Sequence, residues 1–137
     1  MKILYVHSFY APFVMGGAER TLQRLAEGMV ERKHDVRIFT TADRSYDDIL
    51  NGIIIYRRKI RNLYWHFRND LPDKISRSIW HYLDRRSESM KGDLMAVLED
   101  FAPDIVSFHN LPGLTASCWP ESKDNSFRSV QVLHDLN

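Results

Sequence analysis

Short apolar runs alternate with stretches of helical spacing along this chain. KILYVH (2–7) is apolar and β-prone, the pattern of a strand buried on both faces of a parallel sheet. Residues 18–33 follow, with Leu22, Leu25, Ala26, Met29 and Val30 on one helical face. DVRIFTT (35–41) is a second strand, which completes a βαβ unit whose crossover should be right-handed. GIIIYR (52–57) is a third strand, entered through the turn signal Asn51-Gly52. Leu71-Pro72-Asp73 opens a helix that carries Ile75, Ile79 and Leu83 to about Arg86. Leu94, Val97, Leu98 and Phe101 mark another, stopped by Pro103. DIVSFH (104–109) is a fourth strand, NLPG a turn, LTASCW a short helix, and SVQVLHD (129–135) a fifth strand.

Strand alternating with helix predicts an α/β fold: a Rossmann-like, open, mostly parallel sheet with helices on both faces. Ligands of such sheets gather at the carboxyl ends of the strands. There the sequence places His7, Ser8 and the Gly16-Gly17 loop, then Thr40, Thr41 and Asp43, then His109 and Asn110, and finally His134 and Asp135. Polar groups at several strand ends along one edge are what a binding cleft requires.

Gly16 and Gly17 stand at the first strand-to-helix junction, where a helix N-terminus exposes unpaired N–H groups and partial positive charge. Without side chains they let a ligand approach the main chain, so the pair reads as a cradle for an anion or sugar phosphate. A plain tight turn with Gly17 as N-cap explains the same pair. His109 and His134 read either as hydrogen-bond or acid/base groups of a site or as packed structural histidines. His7 ends a buried strand and reads as packed.

Composition narrows the class. The chain has 137 residues, 44% apolar and 27% charged, with net charge +1, which suits one globular domain. A single cysteine, Cys118, excludes an internal disulfide framework and fits a reducing cytosol. No apolar run approaches the ~20 residues of a membrane span, and MKILYVHSF lacks a signal peptide's cleavage region. There is no Walker A sequence, no G-x-G-x-x-G after the first strand, and no C-x-x-C or H-E-x-x-H. These gaps count against P-loop, dinucleotide-dehydrogenase or epimerase, and zinc chemistry. Charge is uneven: residues 57–91 hold ten Lys or Arg against four acids. The segment interleaves aromatics, as in YRRKIRNLYWHFRND. It reads as a solvated surface or as a patch lying on an anionic membrane; nucleic acid is not expected.

The stretch from Ile3 to Thr41 resembles the opening of family 4-type retaining glycosyltransferases of the GT-B fold. The matching features are an apolar strand, an aromatic-Pro loop (Phe9-Tyr10-Ala11-Pro12), G-G-x-E (Gly16-Gly17-Ala18-Glu19) and a helix leading to a strand that ends in Thr. Lys33-His34 stands where the family has Gly-His. PDIVSFHNL (103–111) resembles the family's P-D-(I/V)-(I/V)-H-x-H-N segment, with Ser107 at the first histidine and His109 at the second. VQVLHDLN (130–137) resembles its H-D strand end.

The resemblance implies a single Rossmann-like, acceptor-side N-terminal domain over residues 1–137, truncated before the C-terminal donor-binding domain. It implies transfer of a hexosyl group from a nucleotide sugar to an acceptor hydroxyl with retention, without a metal. Gly16 and Gly17 would approach the donor phosphates and His109 the transferred sugar, as the catalytic contact. Asn110, His134 and Asp135 would line the substrate and acceptor cleft. The acceptor is expected to be lipid-linked or anionic, with peripheral membrane contact through residues 57–86 and a cytoplasmic location. The isolated chain is expected to be inactive. The competing reading is a non-catalytic α/β binding or docking module.

Overall fold

The structure, a computed structural model, describes residues 1–60, 88–111, 114 and 126–134. Its elements run β1 (Lys2–Val6), α1 (Gly17–Glu31), β2 (Asp35–Ala42), β3 (Tyr46–Leu50), β4 (Ile53–Lys59), α2 (Glu88–Phe101), β5 (Ile105–Phe108) and β6 (Arg128–Gln131). The strands form one six-stranded sheet in the order β3-β4-β2-β1-β5-β6. Every neighbouring pair is parallel except β3 with β4. The α/β, mostly parallel architecture is the one expected; the helix expected at 72–86 and most of the LTASCW segment lie outside the described residues.

Strand alternation sorts the core into two layers. Ile3 and Tyr5 of β1, with Val36, Ile38, Ile53 and Ile55, pack against Leu22 and Ala26 of α1. On the opposite face, Leu4, Val6, Phe39, Val106 and Phe108 pack against Met90, Leu94, Val97 and Phe101 of α2. Each such fully buried side chain contributes about 1.5–3 kcal/mol relative to exposure, so burial on both faces fixes the centre of the sheet. The helices therefore cover both faces.

Strand β3 was not expected. Asn51 (φ 52°) and Gly52 (φ 79°) both adopt left-handed backbone, the requirement of a two-residue type I′ hairpin. The turn signal thus joins two strands rather than opening one. Asp47 and Asp48 give the preceding segment the charge of a protected edge strand, which masks its apolar alternation.

Helix α1 ends in a hydrogen-bonded reversal. Lys33 N–H donates to Val30 O (2.9 Å) and His34 N–H to Met29 O (3.1 Å), the two bonds of a Schellman motif. Lys33 takes φ 66° there, a backbone that favours glycine. Replacing Lys33 with Gly should stabilise the fold by about 0.5–1 kcal/mol, read as a higher urea midpoint; an unchanged or lower midpoint would show that Lys33 holds the turn without strain.

Candidate functional site

The register of β1 builds the site. Val6 pairs with Phe39 on one side and Phe108 on the other, so the residues that follow emerge together at the carboxyl edge. His7 N–H donates to Phe39 O (3.1 Å) and His109 N–H to Val6 O (3.0 Å). Ser8 fastens three strand ends. Its carbonyl accepts from the Thr41 amide and from the Thr40 and Thr41 hydroxyls. Its own amide (2.9 Å) and hydroxyl (2.8 Å) donate to Asn110 O.

The glycine pair faces this edge. Gly16 is the N-cap of α1, in extended backbone (φ −160°), and Gly17 is the first helical residue, so the cap lies one residue earlier than a Gly17 N-cap would put it. Neither glycine needs its freedom for the fold. A Cβ on Gly17 would meet nothing within 4 Å, and one on Gly16 would make only an ordinary 3.6 Å contact with Glu19. What the pair keeps clear is the approach to the first-turn amides, which have no acceptor within the helix. Glu19 accepts the Gly16 N–H at 2.7 Å, which fixes the loop and engages the buried carboxylate.

A cavity of about 510 Å³ opens here, with Gly16, Gly17, Ala18 and Glu19 on one wall and Asn110 and His134 on the other. His109 lies one layer behind His134. It is 4% exposed; its Nδ1 is 2.9 Å from His134 Nε2, and its Nε2 is 3.1 Å from Ser107 Oγ. It lines a smaller cavity of about 190 Å³ together with Asn110 and His134. Among the predicted site residues, Gly16, Gly17, Asn110 and His134 thus meet at one cavity, and His109 reaches it through His134. Asp135 lies outside the described residues.

Three imidazoles sit together, with His7 ring centroids 6.1 Å from His109 and 6.2 Å from His134. His7 Nδ1 accepts the Phe9 N–H at 3.0 Å, which leaves the proton of the neutral ring on Nε2. That Nε2 is buried without a hydrogen-bond partner among the described residues, 4.0 Å from Glu19 Oε1. Burial lowers both His7 and His109 from their ordinary value of 6.5 to about 4. Neighbouring His134 reinforces the shift at both, His7 adds to it at His109, and Glu19 opposes it at His7. The wall behind the crevice is therefore made of neutral, hydrogen-bonding rings at pH 7. No group of three or more His, Cys, Asp or Glu among the described residues is arranged to hold a metal ion.

The sequence model of Glycosyltransferase Family 4 matches residues 15–137. The chain belongs to that family. It is 28% identical, over 98% of its own length, to the "Uncharacterized 42.6 kDa protein in cps region" of Klebsiella pneumoniae, and spans 37% of that protein. Its fold matches sucrose-phosphate synthase from Thermosynechococcus elongatus (TM-score 0.67, 12% identity, 98% of this chain and 33% of that one). It also matches the catalytic domain of starch synthase IV from Arabidopsis thaliana bound to ADP and acarbose (TM-score 0.61, 17% identity, 97% and 34%). The fold is thus the Rossmann-like one of GT-B glycosyltransferases, and the chain spans about a third of the length of these relatives.

Within this family 4 domain, four residues matter to the site beyond those predicted. Glu19 was visible as the fourth residue of G-G-x-E, and its position three after the N-cap is the capping-box signal. Ser107 and His7 share the α1-side parity of Tyr5 and His109. Arg57 shares the parity of Ile53 and Ile55, which places it beneath the loop before the glycines. It is fully buried, pairs with Asp48 (3.3 Å), and donates to the carbonyls of Tyr10 and Ala11. Arg57 is therefore withdrawn from the basic surface expected over 57–86, and Arg58 is paired with Asp47 (2.6 Å); residues 61–86 lie outside the described residues. Among the described residues no helix is long and apolar enough to cross a membrane.

The depressed imidazoles carry a pH signature. Between pH 6.5 and about 4 the unfolded histidines bind protons that the folded ones do not, so stability is full above 6.5 and falls as pH drops through that window. Histidine ring resonances followed by NMR should show His7 and His109 neutral down to about pH 5; either ring titrating near 6.5 would contradict the buried cluster.

Proposed function

We propose that this chain forms the acceptor-side part of an enzyme that moves a hexosyl group from a nucleotide sugar to an acceptor hydroxyl with retained configuration. Family membership supports glycosyl transfer in general. The single observation that carries the site assignment is the pair Gly16-Gly17, which neither backbone conformation nor packing requires, open to a cavity shared with His134.

In transfer, the bond between the anomeric carbon and the diphosphate oxygen breaks, and its electron pair leaves with the diphosphate. The acceptor oxygen bonds to that carbon, and its proton passes to the departing phosphate oxygen. Preorganised donors that meet the leaving charge are the main electrostatic contribution. The first-turn amides of α1 suit that task without a Cβ in the way. His134 and Asn110 face them, positioned to hydrogen-bond the sugar. His109 takes part as one unit with His134, since its Nδ1 holds the His134 ring while Ser107 holds its own Nε2. Donor recognition is completed by the part of the enzyme beyond this chain, and the reaction uses no metal. The acceptor is lipid-linked or anionic, and the enzyme works at the cytoplasmic membrane face.

Gly17→Ala separates function from folding. Alanine is the better helix former by about 0.5–1 kcal/mol, so the variant should melt no lower than wild type. It should bind nucleotide sugars at least about tenfold more weakly, a loss of ~1.4 kcal/mol. Calorimetry of the full-length enzyme with UDP- and GDP-hexoses reads both quantities; undiminished binding would remove the glycine loop from the donor site. In the same enzyme His109→Ala and His134→Ala should each lower turnover more than nucleotide affinity, and near wild-type turnover in both would remove the histidines from the site.

A further inference from the structure

The crevice does not end at the glycine loop. The main cavity shares Met15, Gly16 and Gly17 with a second of about 300 Å³, which adds Val14 and Arg20. That one shares Val14 and Arg20 with a third of about 350 Å³, which adds Gln23, Arg24 and Glu27. The three form one groove that runs from His134, across the glycines, along α1 beside the 14–15 loop. Arg20 and Arg24 stand one helical turn apart on the same face. Both are exposed, and neither has an ion-pair or hydrogen-bond partner among the described residues. The one carboxylate in this arm, Glu27, accepts hydrogen bonds from Gln23 (2.9 Å) and Asn51 (2.7 Å), which hold its pKa below the ordinary value. Val14 and the exposed Met15 give the groove an apolar edge between its two polar ends.

We propose that Arg20 and Arg24 bind a phosphate group of the acceptor, which holds the acceptor's hydroxyl toward the glycine loop and His134. The inference rests on the glycosyl-transfer reading for the identity of the ligand as acceptor. The two guanidiniums offer planar, forked donors matched to phosphate oxygens. Arg20 borders the second cavity with the glycines and Arg24 only the third, so the pair leads away from the glycine amides. The amides take the donor diphosphate; the arginines select which hydroxyl compound arrives. Gln23 donates to Glu27, and Glu27, engaged in this way at the far end, repels an anion that would slide past Arg24.

Binding to the full-length enzyme tests this, with matched probes differing in one phosphate: glucose 6-phosphate against glucose, and dihexanoyl phosphatidic acid against dihexanoylglycerol. At least one phosphorylated probe should bind about tenfold tighter than its neutral partner. The preference should disappear in Arg20→Gln/Arg24→Gln and fade as salt rises. A preference for glucose 6-phosphate alone assigns a water-soluble acceptor; a preference for the phospholipid alone assigns a lipid-linked one. Equal binding of charged and neutral probes by wild type, or a preference that survives the double variant, overturns the proposal. Both substitutions are on exposed positions, and the melting temperature of the variant checks that it folds. UDP and GDP titrated in parallel keep the two readings separate: their failure to bind discredits the donor cradle, whereas loss of probe discrimination with intact nucleotide binding discredits the arginine pair alone.

Discussion

Everything at the carboxyl edge depends on β1 being paired in parallel on both sides at once. A strand flanked by β2 and β5 in fixed register leaves its last residues no choice of neighbours: after Val6 come His7 and Ser8, beside Thr40 and Thr41 on one side and His109 and Asn110 on the other. A one-residue slip would turn Ile3 and Tyr5 out of the α1 layer and Leu4 and Val6 out of the α2 layer, so the apolar core enforces the register. Ser8 then converts register into rigidity, with a carbonyl that serves β2 and an amide and hydroxyl that serve the Asn110 carbonyl.

The chemistry of the crevice follows from what this frame buries. His7 and His109 are placed where solvation of a charged ring is lost, so they stay neutral and act as hydrogen-bonding groups rather than as cations. Positive potential comes instead from the helix terminus and from arginines farther along the groove. That division suits a transfer reaction. In the proposed reaction, neutral rings behind the sugar would leave the anomeric carbon free to gain positive character, and fixed amide dipoles would meet the negative leaving group without reorganisation. Glu19 has a supporting part: by accepting the Gly16 amide it holds the loop in the extended conformation that exposes the amides of the next residues.

Much of this was legible in the sequence, for identifiable reasons. The β1–α1–β2 unit could be read because its strands are buried on both faces and so appear as unbroken apolar runs. The strand-end polar groups could be placed because a parallel sheet puts all carboxyl ends on one edge. Strand β3 was hidden because Asp47 and Asp48 make an edge strand look like a loop; their partners, Arg58 and Arg57, lie across the hairpin rather than nearby in sequence. Arg57 was misread with its basic neighbours because charge counting ignores parity, and parity turns it inward under Tyr10 and Ala11. The position of His109 behind His134 depends on the approach of the chain after β6, where Val132 N–H donates to Phe108 O (2.8 Å) before the chain bends at His134; no local pattern encodes that approach.

The central claim is that the first-turn amides of Gly17 and Ala18 and the His134–His109 pair face one ligand. Titration of the isotope-labelled full-length enzyme with UDP- and GDP-hexoses, followed through amide and imidazole NMR shifts, tests it most directly. The account requires the largest perturbations at the Gly17 and Ala18 amides together with the His134 ring, saturating at the same ligand concentration. Perturbations that bypass these amides, or that reach them and the histidine ring with different affinities, would contradict it.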